Sequence, residues 1–369
     1  MRSLLKCTSL CVVLFAIVTL SASAQGDRQS YQSLQHALFS ASQLTGEQWP
    51  QNVIWIEGGE RYSYMERDPL TGEIEIRAYD PSTEQDELIF QTARHNFPGT
   101  NTPFRFRSFQ WSSDFKTLLF QTNFSTIYRS SGTSDYYYYS LENERMELIA
   151  GAAFTAELSP DGQKVGYHRD GELYLFDLNS REETRLTDDS ANHFYNGRFG
   201  WVYEEEFGKV QAWSWSHDSR YIAYWQTDER HVERFVSTNY EGSYPQYTDI
   251  PYPKVGSENP IVKIGIIDTE TGDRQWANIE IGDGLIPRMY WTSNPGELAI
   301  VWMNREQNHL KLYFHDTETR RSRLIMEERD DSGWIDVFDF FAGIDDYFFF
   351  PENRTEFFWI SDRDGYKHL

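Results

Sequence analysis

The sequence is short of cysteine, of positive charge and of long apolar runs. Its 369 residues include two cysteines, Cys7 and Cys11, and both precede residue 25. The chain has 34 basic against 57 acidic residues, which gives a formal net charge of −23. This acidity argues against a nucleic-acid partner, because binding to phosphates needs a basic surface. After residue 25 no apolar run is long enough to span a bilayer.

The first 24 residues are typical of a secretory signal peptide. Arg2 and Lys6 precede an apolar run at residues 10–20, and small residues follow it. An uncleaved membrane anchor is the alternative, although the run is short for a span. Cleavage would remove both cysteines and leave no disulfide or thiolate metal site. The sequence therefore predicts export to a periplasm or to the exterior, with residues 25–50 as a lead-in linker or helix.

Strand-length apolar segments alternate with tight polar turns from residue 51 to the end. Aromatic residues make up 16% of the chain, which favours pleated sheet. The turns recur at Ser113, Pro160, His217 and Ser293, and the intervals lengthen along the chain. A base period of about 40–50 residues indicates a β-propeller of four-stranded blades, with a β-sandwich as the alternative. We therefore predict an all-β propeller with five repeat units and the start of a sixth.

Two long insertions interrupt the repeat. Residues 195–209 carry three consecutive glutamates. Residues 231–260 contain four prolines and cannot be continuous sheet. Insertions of this length in a blade usually serve binding or assembly. We expect the second insertion to form an arm that projects from its blade, with a plain surface loop as the alternative.

The glutamates at 204–206 lie between Trp201 and Phe207. A run of glutamate is usually a solvated face. Neighbouring side chains diverge on a regular helix, so two of them converge only in a short or irregular turn, which Gly197 and Gly200 allow. Acids among large aromatics are typical of a cleft, where charge interactions are strong. An acid pair in a cleft suits a cation such as the α-ammonium group of a peptide.

The segment Trp201-Val202-Tyr203-Glu204-Glu205-Glu206 resembles the double-glutamate motif of the dipeptidyl peptidase IV family, including its bacterial members, in the prolyl oligopeptidase superfamily. The resemblance extends from about residue 50 to the end. Further segments that match the family in order are Tyr195-Asn196-Gly197, Trp215-Ser216, Pro251-Tyr252-Pro253-Lys254-Val255-Gly256, Gly333-Trp334-Ile335 and Ser361-Asp362-Arg363-Asp364-Gly365-Tyr366-Lys367-His368-Leu369.

This resemblance implies that an eight-bladed propeller caps an α/β-hydrolase domain and that the substrate is a peptide with a free N-terminus. It assigns Glu205 and Glu206 to the substrate's N-terminus, while Glu204 faces elsewhere. It assigns Arg129 to a backbone carbonyl of the substrate, and it places Phe338 in the lining of the substrate site. It also implies a homodimer in which the arm takes part. No metal or cofactor is predicted.

The sequence contains no Gly-x-Ser-x-Gly motif, so no catalytic serine, aspartate or histidine is assigned in this chain. We expect the remaining blades and the hydrolase domain to follow residue 369, and the 369 residues alone to be inactive. A propeller that binds partners without any hydrolase domain is the alternative. A glycosidase is disfavoured, because adjacent acids rarely flank a sugar ring.

Overall fold

The computed structural model of the chain describes residues 33–35, 50–68 and 71–369. The predicted signal peptide at residues 1–24 lies outside the described residues, and so does nearly all of the lead-in at residues 25–50. The described part of the chain is built from antiparallel sheets that follow one another in sequence order. It contains one α-helix longer than a single turn, and no doubly wound α/β domain occurs among the described residues.

The first three blades are four-stranded meanders in which each strand pairs with its sequence neighbour. Blade 1 consists of β1 (Gln51–Ile56), β2 (Arg61–Arg67), β3 (Ile74–Asp80) and β4 (Gln85–Gln91); blade 2 of β5 (Ser108–Trp111), β6 (Thr117–Thr126), β7 (Gly132–Ser140) and β8 (Arg145–Ala153); blade 3 of β9 (Thr155–Leu158), β10 (Lys164–Arg169), β11 (Glu172–Asp177) and β12 (Glu183–Arg185).

Blade 4 departs from this plan and carries both insertions. Its strands are β13 (Phe194–Asn196), β14 (Trp213–Trp215), β15 (Tyr221–Asp228), β18 (Ile261–Asp268) and β19 (Arg274–Trp276), with helix α1 (Trp201–Phe207) between β13 and β14 and the hairpin β16 (Arg234–Asn239) and β17 (Gln246–Pro251) between β15 and β18. Blade 5 consists of β20 (Leu285–Trp291), β21 (Glu297–Met303), β22 (His309–Asp316) and β23 (Arg321–Arg329), and β24 (Phe348–Phe349) with β25 (Phe358–Trp359) forms the start of a sixth unit.

Apolar clusters between neighbouring blades hold the blades together. Phe90 of blade 1 packs with Phe120 of blade 2, and Leu119 of blade 2 packs with Val165 of blade 3. Trp213 of blade 4 belongs to a cluster shared with blade 3. A strand that is covered on both faces is apolar along most of its length. Strand β21 (Glu297–Met303) is an example, because all of its residues are buried. The predicted all-β propeller, with five blades and the start of a sixth, is confirmed.

The recurring turns have a local cause that the sequence contains. In three of them a serine hydroxyl donates to an aspartate two residues later. The same hydroxyl oxygen accepts the backbone N–H of the first residue of the next strand. Such side-chain to backbone bonds fix a tight turn without help from distant residues. The serine–aspartate pairs and their distances are Ser112–Asp114 at 2.6 Å, Ser159–Asp161 at 2.6 Å and Ser216–Asp218 at 2.5 Å, and the N–H donors are Thr117, Lys164 and Tyr221.

Strands β6, β10, β15 and β21 follow the four recurring turns, as the repeat predicts. After β25, residues 366–369 form no strand, and one isolated bridge pairs Ser361 with His368. A single bridge lacks the neighbouring ladder bonds that make a strand cooperative.

Candidate functional site

Strand β15 positions the glutamate motif. Two short strands pair with the same edge of β15: β13 at the end near Asp228 and β14 at the end near Ile222. The chain leaves the sheet between them and forms α1 (Trp201–Phe207). The helix is therefore anchored at both ends to one strand. This arrangement fixes its place more firmly than a free surface loop would.

Helix α1 is a regular two-turn helix rather than an irregular turn. Gly200 precedes it in an extended conformation, and Gly208 ends it with a φ of 64° and donates its N–H to the Glu204 carbonyl at 3.1 Å. The left-handed conformation at this position favours glycine. Tyr203 and Phe207, four residues apart, are both buried in the core. These aromatics form the underside of the helix instead of a wall around the acids.

The three glutamates diverge, as successive positions on a regular helix must. Glu204 is buried, and its Oε1 accepts the backbone N–H groups of Ser130 at 2.7 Å and Ser131 at 2.9 Å. A carboxylate that accepts two amides is a strong tie between distant segments. Glu204 thus holds the turn between β6 and β7 against the helix. Its carboxylate faces the Ser130–Ser131 turn, and the expectation that it faces away from a substrate stays a prediction.

Because Ser130 and Ser131 are held in this way, the preceding residue, Arg129, lies beside Glu205. Its Nη2 is 3.0 Å from Glu205 Oε2. The Glu205 side chain is 14% exposed and that of Arg129 is 72% exposed. Solvent screens the exposed arginine, so the pair contributes little to stability. The Glu205 carboxylate is largely covered, whereas Glu206 at the next helical position is exposed.

Phe338 lies at the other end of the helix. A Cβ placed on Gly208 would be 3.6 Å from its ring. The guanidinium of Arg288 lies 5.2 Å from the centroid of the same ring. The structure thus places Glu205, Glu206 and Phe338 on or against one short helix and brings Arg129 to it from blade 2. Their roles toward a substrate stay predictions.

Sequence reasoning missed the polar network under Phe338. Arg288 is 1% exposed and donates its Nε to Asp346 at 2.6 Å. Lys209 Nζ lies 3.1 Å from the same carboxylate, and Tyr290 donates its hydroxyl to it at 3.0 Å. Burial, with help from Arg288, lowers the pKa of Lys209. The only available signal was a single arginine in the otherwise apolar strand β20 (Leu285–Trp291).

Two further contacts fix α1 from below and from the side. The backbone N–H of Ile286 donates to the Tyr203 hydroxyl at 3.1 Å, and burial raises the pKa of Tyr203. The ring of Trp201 lies 4.2 Å from that of Tyr252, at the base of the arm. The helix is thus held by blades 2, 4 and 5 and by the arm.

The described residues contain no group of three or more histidine, cysteine, aspartate or glutamate side chains placed to hold a metal ion. Among the same residues, no helix has the length and apolar character needed to cross a membrane.

The fold and the site together define a propeller domain that presents an acidic helix opposite an arginine. The chain belongs to the family described as "Dipeptidyl peptidase IV (DPP IV) N-terminal region", whose family model matches residues 112–369. That range begins just after β5 and covers the rest of blade 2, blades 3 to 5 and the start of the sixth unit, and it contains Arg129, α1 and Phe338.

Relatives and solved structures agree with this assignment. The chain is 31% identical over 329 residues to "Probable dipeptidyl-aminopeptidase B" of Phaeosphaeria nodorum, covering 80% of this chain and 36% of that protein. It is 29% identical over 307 residues to "Dipeptidyl aminopeptidase B" of Saccharomyces cerevisiae, covering 79% and 36%. The crystal structure of Porphyromonas gingivalis dipeptidyl peptidase 4 matches with a TM-score of 0.77 and 25% identity, covering 92% of this chain and 47% of that chain. The chain thus spans little more than a third of these fungal relatives.

Proposed function

We propose that this chain is the substrate-gating and N-terminus-anchoring propeller of an exported bacterial serine dipeptidyl peptidase that releases Xaa-Pro dipeptides. The observation that carries the proposal is the pairing of Glu205 with Arg129, with Glu206 exposed beside it. The relatives named above are all dipeptidyl peptidases or dipeptidyl aminopeptidases, which supports the same proposal.

The proposed chemistry follows from charge and distance. A peptide α-amine has a pKa of about 8, so it is largely cationic at neutral pH. Glu205 and Glu206 diverge at the helix backbone, so in this proposal their two carboxylates approach that cation from different sides. Arg129 supplies N–H donors for a backbone carbonyl oxygen of the same peptide. Phe338 offers an apolar surface to the first side chain. Fixing the ammonium two residues from the scissile bond limits the product to a dipeptide and positions the bond for attack.

The bond-breaking residues belong, in this proposal, to a hydrolase domain outside these 369 residues. The chain itself contributes recognition and positioning, because its sequence has no nucleophile motif. A binding measurement on the chain therefore tests the proposal directly, without any need for turnover.

Isothermal titration of the chain with Ala-Pro-amide and with its N-acetylated form is the direct test. We expect the free-amine peptide to bind only weakly, since the chain supplies part of the site, and the acetylated peptide to bind at least about ten-fold more weakly still, because it has no cation for the acid pair. We call Glu205, Glu206 and Arg129, in their proposed role of holding the peptide N-terminus, the clamp. Equal affinities for the two peptides would count against the clamp. A chain that binds neither peptide but captures a folded protein would favour the alternative of a non-catalytic binding module.

The arm supplies a second proposal, pairing with another copy of the chain. Its hairpin, β16 and β17, exposes Phe235, Val236 and Tyr247, and Tyr240 and Tyr244 in the connecting turn are also exposed. Exposed aromatic clusters of this kind mark protein interaction sites. We expect a dimer by light scattering, and a monomer when residues 240–244 are shortened to a two-residue turn. A shortened chain that is still dimeric would exclude the arm as the interface.

A further inference from the structure

Glu229 is a buried acid that the proposed clamp does not use. It follows β15 directly and is 1% exposed. Its carboxylate occupies the space that a Cβ on Gly200 would need. Within the described part of the chain its Oε1 has no hydrogen-bond partner. A buried carboxylate oxygen without a partner is costly and calls for an explanation.

Two arginines near Glu229 also have buried polar atoms without hydrogen-bond partners at the described positions. Arg198 Nε and Arg234 Nη1 are also buried without a partner among the described residues, and no ion pair within 4.0 Å joins either of these side chains to Glu229 there. Burial raises the pKa of Glu229 to about 7, with the two arginines opposing this rise and Asp228 adding to it. Other titratable groups that face Glu229 or its arginines are Tyr128, Tyr195, His193, His168 and Asp249, and Glu204 faces Tyr128.

Glu229 lies behind both halves of the clamp. Gly200, which it contacts, is the residue before α1, and the Gly200 carbonyl accepts the N–H of Glu204 at 3.4 Å. Glu204 in turn binds the amides of Ser130 and Ser131, next to Arg129. A shift of the Glu229 carboxylate therefore acts first on the start of the helix and then on the Arg129–Glu205 pair.

We propose that Glu229 is a positioning residue: in its neutral form it packs against Gly200 and seats α1, and on ionisation it turns toward Arg198 and Arg234 and loosens the start of the helix. Both arginines have a free donor for an ionised carboxylate, whereas the Gly200 contact offers it none. The effect on peptide binding rests on the proposed clamp. The effect on the helix does not.

Amide exchange followed by mass spectrometry tests the effect on the helix, using the whole 369-residue chain without peptide. After correction for chemical exchange rates, we expect residues 199–208 to exchange about five-fold faster at about pH 8 than at about pH 6. In Glu229→Gln, which stays neutral, the difference should vanish. In Glu229→Ala, exchange should be fast at both pH values. Glu142→Gln removes the same charge from an exposed turn between β7 and β8 and should behave like the unchanged chain.

Titration with Ala-Pro-amide at the same two pH values adds the second readout. We expect Glu229→Gln to keep the affinity of the unchanged chain at about pH 6, and Glu229→Ala to lose about ten-fold. Circular dichroism checks that each variant is folded, and Glu229→Gln keeps the test informative if Glu229→Ala is not. A pH dependence of exchange that persists in Glu229→Gln would overturn the inference. If exchange follows the expectation but Glu205→Gln leaves peptide affinity unchanged, the positioning of α1 stands and the clamp fails.

Discussion

The contact between blades 1 and 2 and the junction of blades 3 and 4 both contain packed apolar clusters, and the second adds buried polar groups that have no partner among the described residues. In the first, Phe90 packs against Phe104, Phe106 and Phe120 with ring centroids 4.7 to 6.1 Å apart. In the second, His168 and Glu229 are buried with polar atoms that have no partner among the described residues.

This difference separates what holds the propeller together from what shapes its site. Packed phenylalanine rings need no hydrogen-bond partners, so their burial contributes mainly to stability. Buried polar groups without partners cost stability and persist where the surrounding structure fixes them, which is common at functional sites. Glu229 of the polar junction lies against Gly200 at the start of α1, whereas the aromatic cluster of blades 1 and 2 includes no residue of α1 or of the Arg129 turn.

The largest effect should come from breaking the aromatic contact. We expect Phe90→Ala to lower the unfolding free energy by about 3–5 kcal/mol, because a large ring is removed from a close-packed core. Urea unfolding of the chain measures the loss. The affinity for Ala-Pro-amide should not change at low urea, since the Phe90 cluster contains neither Arg129 nor any residue of α1. A loss of stability below about 1 kcal/mol would show that the contact is less important than its packing indicates.

The buried polar groups at the junction of blades 3 and 4 should instead make the unfolding free energy depend on pH. The pKa of Glu229 is raised to about 7 from 4.5, so its neutral form is favoured in the fold and its contribution is lost as pH rises from about 4.5 through about 7. The loss is on the order of 3 kcal/mol. Burial lowers the pKa of His168 to about 3 from 6.5, so its contribution is lost as pH falls from about 6.5 toward about 3.

Unfolding of the chain and of Glu229→Gln at several pH values checks this sign. Relative to the unchanged chain, Glu229→Gln should gain stability as pH rises from about 4.5 to about 7 and show no further gain above that. A gain that grows toward acid pH would mean that the sign is wrong.

The smallest loss in free energy should have the largest functional consequence. Glu205→Gln should leave the urea midpoint of the chain unchanged, because the exposed Arg129 pair adds little stability. In the complete peptidase it should reduce kcat/KM for an Ala-Pro substrate by about 2–3 kcal/mol of transition-state binding. Glu142→Gln, an exposed acid in the turn between β7 and β8, serves as the matched control. Unchanged kcat/KM in Glu205→Gln would refute the anchoring role.

Much of the blade architecture could be predicted because its signals are local. The Ser-x-Asp turns, such as Ser159 with Asp161, act within a few residues, and alternation along strands records which face is buried. The glutamate motif could be found for the same reason. Its geometry could not, since the helix at 201–207 was expected to be an irregular turn lined by aromatics.

The sequence by itself determined the repeat of strands, the two insertions and the acidic residues they carry, because each depends on neighbours along the chain. Only the tertiary structure decided which groups meet. Arg288 with Asp346, Glu204 with Ser130 and Glu229 with Gly200 join separate segments of the chain. Such pairs form only when blades dock, and a single sequence holds no local mark of that docking.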